Sequence, residues 1–197
     1  MFDATKYYRE RYQNDKEFRS KFKLMVCKSQ KKMRLVYRTL LLNALGKECS
    51  ICRFSITDIL EFHHINNDGK KNRMGLSNLK YYSENLEEAK EKLRIVCPNC
   101  HCILTHPIIN TNGKTQRRKR NLMKLLEQST CKKCNYSDIR GLQFDHKKGH
   151  GHQDKLKHKS LNAYYLARPN LAKETLEILC ANCNRLKQRA NWEFRGY

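Results

Sequence analysis

Asp145 and His146 stand side by side in Leu142-Gln143-Phe144-Asp145-His146, and Asn184 follows the last cysteine of Cys180-Ala181-Asn182-Cys183. An acid beside an imidazole can divide the work of phosphodiester hydrolysis, the carboxylate holding a divalent ion and the imidazole taking a proton from water. Asn184 offers a second oxygen ligand, and a magnesium ion held by two protein groups ordinarily keeps several waters. Earlier in the chain His63, His64 and His101 occupy matching places. Imidazoles favour manganese, nickel or zinc over magnesium, so the two sets are expected to differ in metal preference.

Such groups must be held by something stiffer than a small apolar core, because mean hydropathy is -0.85 and 30% of the residues are charged. Eight of the ten cysteines fall into four Cys-x-x-Cys pairs: Cys49 with Cys52, Cys97 with Cys100, Cys131 with Cys134, and Cys180 with Cys183. Two pairs together supply a tetrahedral thiolate site, so the expected cofactors are two structural Zn2+ ions besides a catalytic Mg2+ or Mn2+. A redox role is disfavoured, since no βαβ pattern surrounds any pair. Zinc would contribute on the order of 10 kcal/mol of apparent folding free energy to segments of this size.

The two cysteine sets belong to an internal duplication. A shift of 82 residues lays Leu40 on Leu122, Cys49 on Cys131, Cys52 on Cys134, Phe62 on Phe144 and His64 on His146. After one inserted residue the shift is 83, and Tyr81-Tyr82 falls on Tyr164-Tyr165, Ala89 on Ala172, Cys97 on Cys180, Asn99 on Asn182 and Cys100 on Cys183. Gly141 to His146 reads as the end of a short strand.

The formal net charge is +22. Two four-thiolate zinc sites at about -2 apiece would leave roughly +18, which points to an anionic partner and to DNA, duplex or branched, before others. Residues 3 to about 45 carry apolar positions at three- and four-residue steps, with a start or interruption at Asn14-Asp15 and a stop at Gly46. Arg34 and Arg38 lie on the basic face of that segment. Arg117, Arg118, Lys119 and Arg120 form a basic helix start, and Arg185, Lys187 and Arg189 follow Asn184; all nine are candidate nucleic-acid contacts. Trp192 is expected to anchor the last helix, and His150, His152 and His158 to be solvated loop residues. No apolar signal region opens the chain and no run is long enough to span a bilayer, so a soluble intracellular protein of cytoplasm or nucleus is expected.

With these residues in place, the stretches 40–110 and 122–190 resemble the HNH, or ββα-metal, nuclease superfamily. The second is similar to the endonuclease VII group of phage junction-resolving enzymes. The resemblance implies a β-hairpin and a helix around one catalytic metal. By it Asp145 and Asn184 bind magnesium and His146 is the general base, while His64 is the base of the first stretch with His63 and His101 as metal ligands.

The expected fold is therefore α+β: small zinc-stapled ββα-metal units in tandem, preceded by a basic helical N-terminal segment. The boundaries are 1–39, a DNA-contacting segment; 40–110, the first unit; 111–121, a basic linker; and 122–197, the second unit. The expected function is a metal-dependent DNA endonuclease whose duplicated units act as an intrachain pseudo-dimer. The alternatives are a non-catalytic zinc-dependent DNA- or RNA-binding module and a nickase with only the second unit active.

Overall fold

The computed structural model describes residues 3–67, 74–106, 113–149 and 151–194, with the backbone alone at 151, 152 and 192–194. The side chains of His150, His152 and Trp192 lie outside the described set. Contacts divide the chain into a helical unit, Met1–Lys47 with His64–Arg94, and a zinc unit, Glu48–His63 with Ile95–Tyr197. This division cuts through the first repeat and groups its cysteines with the second.

In the helical unit, α1 (Ala4–Asn14) stops where Asp15 turns extended and caps α2 (Lys16–Leu45), accepting from the Phe18 amide at 2.9 Å. Gly46, at φ 105°, ends α2, as the stop signal predicts. Helix α2 packs on α3 (Leu76–Glu84) and α4 (Leu86–Lys92), and the buried residues of these helices are Leu41, Leu42, Leu79, Tyr82 and Ala89. Towards its start α2 leaves Leu24 and Met25 more than half exposed among its lysines. No helix among the described residues is long and apolar enough to cross a membrane.

Two small sheets position the candidate residues: β1 (Glu61–His64) with β2 (Leu93–Val96), and β3 (Leu142–His146) with β4 (Leu176–Cys180). Strand β3 runs antiparallel to β4, with Leu142 opposite Cys180 and His146 opposite Leu176. Each second strand leads directly into a helix carrying the last cysteines: α5 (Pro98–Thr105) after β2, and α10 (Ala181–Phe194) after β4. The second sheet buries Leu142, Ile178 and Leu179 beside Cys131 and Cys180. Next to it lies a cluster of Leu122, Tyr165, Ala172 and Leu176 from β4, α6 (Lys114–Leu125), α8 (Leu161–Leu166) and α9 (Pro169–Thr175). A further helix, α7 (Gly151–Lys157), precedes α8.

The duplication extends to individual backbone bonds. Cys49 N–H donates to Phe54 at 2.8 Å and Cys131 N–H to Tyr136 at 2.8 Å; Ser50 donates to Ile95 at 2.9 Å and Lys132 to Ile178 at 3.0 Å. Arg53 and Asn135, each just past the first cysteine pair, both adopt positive φ, 62° and 59°. A left-handed non-glycine residue costs of order 1 kcal/mol or more, so its recurrence at equivalent positions marks a turn that the cysteines impose.

Within the zinc unit the second residues of α5 and α10 meet head to head. The Asn99 amide donates to Asn182 Oδ1 at 3.0 Å, and the Asn182 amide donates to Asn99 Oδ1 at 3.0 Å. These two positions are equivalent under the 83-residue shift, so the contact is self-complementary, as at a two-fold dimer interface. Both asparagines are buried. A cavity of about 170 Å³ nearby is lined in equivalent pairs by Glu61 and Gln143, Pro98 and Ala181, and Cys102 and Arg185.

Asn99→Ala and Asn182→Ala each leave one buried helix-terminal amide without its acceptor and are expected to lower stability by about 1–3 kcal/mol in urea unfolding. A change within about 0.5 kcal/mol, the range of ordinary surface substitutions, would show that the pair does not tie the repeats.

Candidate metal centres and strand-end histidines

The best-formed sites are the two cysteine quartets. Among the described residues, Cys49, Cys52, Cys97 and Cys100 bring their sulfurs within 4.8 Å of one another, as do Cys131, Cys134, Cys180 and Cys183. Cys52 and Cys97 sulfurs lie 3.6 Å apart, and so do those of Cys134 and Cys180. A tetrahedron with metal–sulfur bonds of about 2.3 Å has edges of about 3.8 Å, so the spacing fits zinc. Helix-start amides point at the sulfurs, Cys100 N–H to Cys97 Sγ at 3.5 Å and Cys183 N–H to Cys180 Sγ at 3.4 Å.

Electrostatics within each quartet is uneven. Burial raises the Cys49 thiol, but the amides of Cys52, Cys97 and Ile51 outweigh it and bring the pKa to about 7; Cys131 reaches about 7 in the same way through Cys180, Lys133 and Cys134 amides. Cys97 is pushed up to about 11, chiefly by burial. The fold thus favours the thiolate at Cys49 and Cys131 and opposes it at Cys97, where a cation would offset the burial.

His146 ends β3 and is buried. Its Nε2 lies 3.0 Å from Asp154 Oδ2 on α7 and 2.8 Å from the Tyr165 hydroxyl on α8, and that hydroxyl donates to Asp154 at 2.6 Å. With Tyr165 giving its proton to Asp154, Nε2 carries the imidazole proton and donates to these oxygens, which leaves Nδ1 to accept one. The Tyr165 hydrogen bond, with that of His146, holds the Asp154 carboxyl below its ordinary pKa despite some desolvation. The sequence reading missed Asp154. Its aligned position in the first repeat is Lys71 or Asn72, neither of them acidic, so the duplication carries no signal for it. Tyr165 was visible as the equivalent of Tyr82, though without a role. The pairing itself recurs: His146 and Tyr165 rings are 5.7 Å apart, and within the helical unit His64 and Tyr82 rings are 6.2 Å apart. His64 Nε2 is buried with no hydrogen-bond partner among the described residues.

Asp145 on β3 and Asn184 on α10 are both engaged internally. Asn184 Nδ2 donates to Gln143 at 2.8 Å, and its Oδ1 accepts from Gln188 at 3.2 Å. Asp145 Oδ2 accepts from Lys187 Nζ at 2.5 Å, and the same ammonium donates to Glu177 at 2.9 Å and to the His146 carbonyl at 3.1 Å. Burial alone would lower the Lys187 pKa; Asp145 and Glu177 together overcome it and hold the ammonium charged. Lys187, one of the nine expected DNA contacts, is thus turned inward onto one oxygen of Asp145.

In the first repeat, within the zinc unit, His63 and His101 rings are 5.1 Å apart and nearly perpendicular, at 78°. This is the geometry of an edge-to-face ring contact. Glu61 Oε2 contacts His101 Nδ1 at 2.6 Å. Burial raises the Glu61 carboxyl, and His101 and Arg185 more than offset it.

The remaining basic candidates divide by exposure. Arg34, Arg117, Arg185 and Arg189 are exposed, and Arg38, Arg118 and Arg120 are half-buried. Arg118 reaches Ser160 at 3.4 Å, and Arg189 donates to the Asp58 carbonyl at 2.8 Å. Lys119 turns inward and donates to the Ile139 and Leu142 carbonyls, both at 2.6 Å, with burial depressing its pKa. Its charge supports the start of β3 and is withdrawn from the surface strip.

Replacing Lys187 by Met should leave two largely buried carboxylates without their cation and cost about 2–4 kcal/mol in thermal unfolding. Millimolar Mn2+ should then restore part of the loss by taking the ammonium's place; no response to Mn2+ would show that Asp145 is not a cation ligand. Comparison with known protein families, curated proteins and solved structures gives no match for this chain.

Proposed function

We propose that the protein is a metal-dependent DNA endonuclease of HNH type, in which two zinc-stapled repeats act as an intrachain pseudo-dimer. One observation carries the reading. In both repeats a strand bearing paired candidate residues, His63-His64 or Asp145-His146, is tied to the residue that follows the last cysteine of a quartet, through Glu61 to His101 or through Gln143 to Asn184. Zinc would thus fix the helix that carries one candidate ligand against the strand that carries the other.

In this reading His146 is a general base. Asp154 and Tyr165 fix its ring through Nε2, and Nδ1 takes the proton of the attacking water. His64 has the same role in the first repeat. His63 with His101, and Asp145 with Asn184, would hold a divalent ion. When bound, that ion supplies charge stabilisation to the phosphate and the departing 3′ oxygen. The partner is DNA: the net charge of +22 favours a polyanion, and exposed Arg34, Arg117 and Arg189 offer phosphate contacts.

A second reading has its own observation. Lys187 and Gln188 satisfy Asp145 and Asn184 without any ion, which favours a repeat that binds nucleic acid and does not cut. The chain would then be a nickase with one working repeat, or a zinc-dependent DNA- or RNA-binding module if neither works.

Supercoiled plasmid incubated with Mg2+ or Mn2+ separates these readings. The pseudo-dimer predicts linear DNA from the intact protein, nicked circles from His64→Ala and from His146→Ala, and no product from the double variant, with zinc content unchanged throughout. If one substitution alone abolishes cutting, that repeat is the only catalytic one. Absence of cleavage on plasmid and on branched DNA alike would leave the binding module.

A further inference from the structure

The repeats are joined at the candidate ligands themselves. Glu61 of the first repeat divides its carboxylate: Oε2 contacts His101 Nδ1 at 2.6 Å, and Oε1 accepts from Arg185 Nη2 at 2.8 Å. Arg185 belongs to the second repeat, on α10. The 83-residue shift maps Arg185 onto Cys102, and the 82-residue shift maps Glu61 onto Gln143. Cys102 and Gln143 line the same cavity, and Gln143 accepts from Asn184. In each half, residue 61 or 143 holds the residue that follows the last cysteine, on the first turn of its helix. Among the described residues, only into the first repeat does the other half reach in with a charged group, in a relay of guanidinium to carboxylate to imidazole.

We infer that Arg185 is a positioning residue supplied by the second repeat to the first, acting through Glu61 to fix the ring of His101 with Nε2 free for a cation. The inference rests on the reading of His63 and His101 as metal ligands. A ligating histidine commonly gives its other ring nitrogen to a carboxylate, which fixes tautomer and orientation and raises ligand basicity. Here that carboxylate needs an anchor of its own, since strand β1 is only four residues long. Arg185 provides it from a helix whose start is tied to a quartet by Cys183. The Arg185 side chain is 49% exposed, so the ion pair adds little to stability and its effect falls on orientation.

The test is Mn2+ binding to the intact, zinc-loaded chain, followed by the electron paramagnetic resonance of free Mn2+; manganese does not compete for thiolate sites. His101→Ala defines the binding that belongs to the first repeat. Glu61→Gln should weaken that component about 10–100-fold, the range seen when support of a ligating histidine is removed, and Arg185→Met should weaken it in the same direction but by less, since Glu61 remains. Arg185→Lys should recover part of the affinity. Zinc content and thermal midpoint should stay those of the intact chain, which a merely structural role would not predict. If His101→Ala abolishes a Mn2+ site while Arg185→Met and Arg185→Lys bind as the intact chain does, the relay is overturned and the metal reading survives. If the intact chain binds no Mn2+ that His101→Ala removes, the metal reading fails and the relay falls with it.

Discussion

Four thiols gathered within bonding distance of one point cannot all lose their protons unless a cation joins them, and this protein builds that constraint twice. Cys49 and Cys131 are brought to about 7 by backbone amides, whereas Cys97 is driven up to about 11 by burial. A zinc ion would resolve the conflict by favouring the deprotonated sulfurs and binding them together. The small sheets around the quartets would then lean on that bond. Strands β3 and β4 have five residues each, and a two-stranded ribbon of that size is marginal on its own in water. The quartet of Cys131, Cys134, Cys180 and Cys183 joins the turn before β3 to the start of the helix after β4, and β3 ends on His146.

Duplication followed by divergence accounts for the asymmetry between the candidate sites. The scaffold bonds around the cysteines match within about 0.1 Å in length where the repeats can be compared, as with Ser50 to Ile95 and Lys132 to Ile178. The chemistry-bearing positions do not match. Two imidazoles, a carboxylate and an arginine surround the first candidate centre, while the second has a carboxylate neutralised by Lys187 and an amide shared with Gln143 and Gln188. Imidazoles, where they ligate, favour borderline cations over magnesium. At the second centre, an ion must compete with an ammonium already held by two carboxylates.

Much of this was legible in the sequence, for identifiable reasons. Cysteine spacing and the repeat offset survive any folding detail, so both quartets could be read directly. Asp15 and Gly46 act through local backbone chemistry, and the α1–α2 break and the end of α2 follow from it. What could not be read was the destination of long side chains. Lys119 and Lys187 have the same composition as surface lysines, and only the fold reveals that one supports two carbonyls and the other a pair of acids. Asp154 likewise has no repeat partner and no motif; it reaches His146 because α7 brings it back over the end of β3. The reciprocal bond of Asn99 and Asn182 was present in the alignment as an equivalence, but equivalence alone does not say that two residues touch.

The central claim is that metal bound by the quartets holds the repeats in working form, and the most direct measurement is zinc content by native mass spectrometry alongside circular dichroism. The account predicts two zinc ions in the intact chain and one in either Cys49→Ser or Cys131→Ser. Chelation should remove both ions with loss of the strand signal and of cooperative unfolding. A chain that carries no zinc, or that keeps its full spectrum and unfolding transition after chelation, would contradict it.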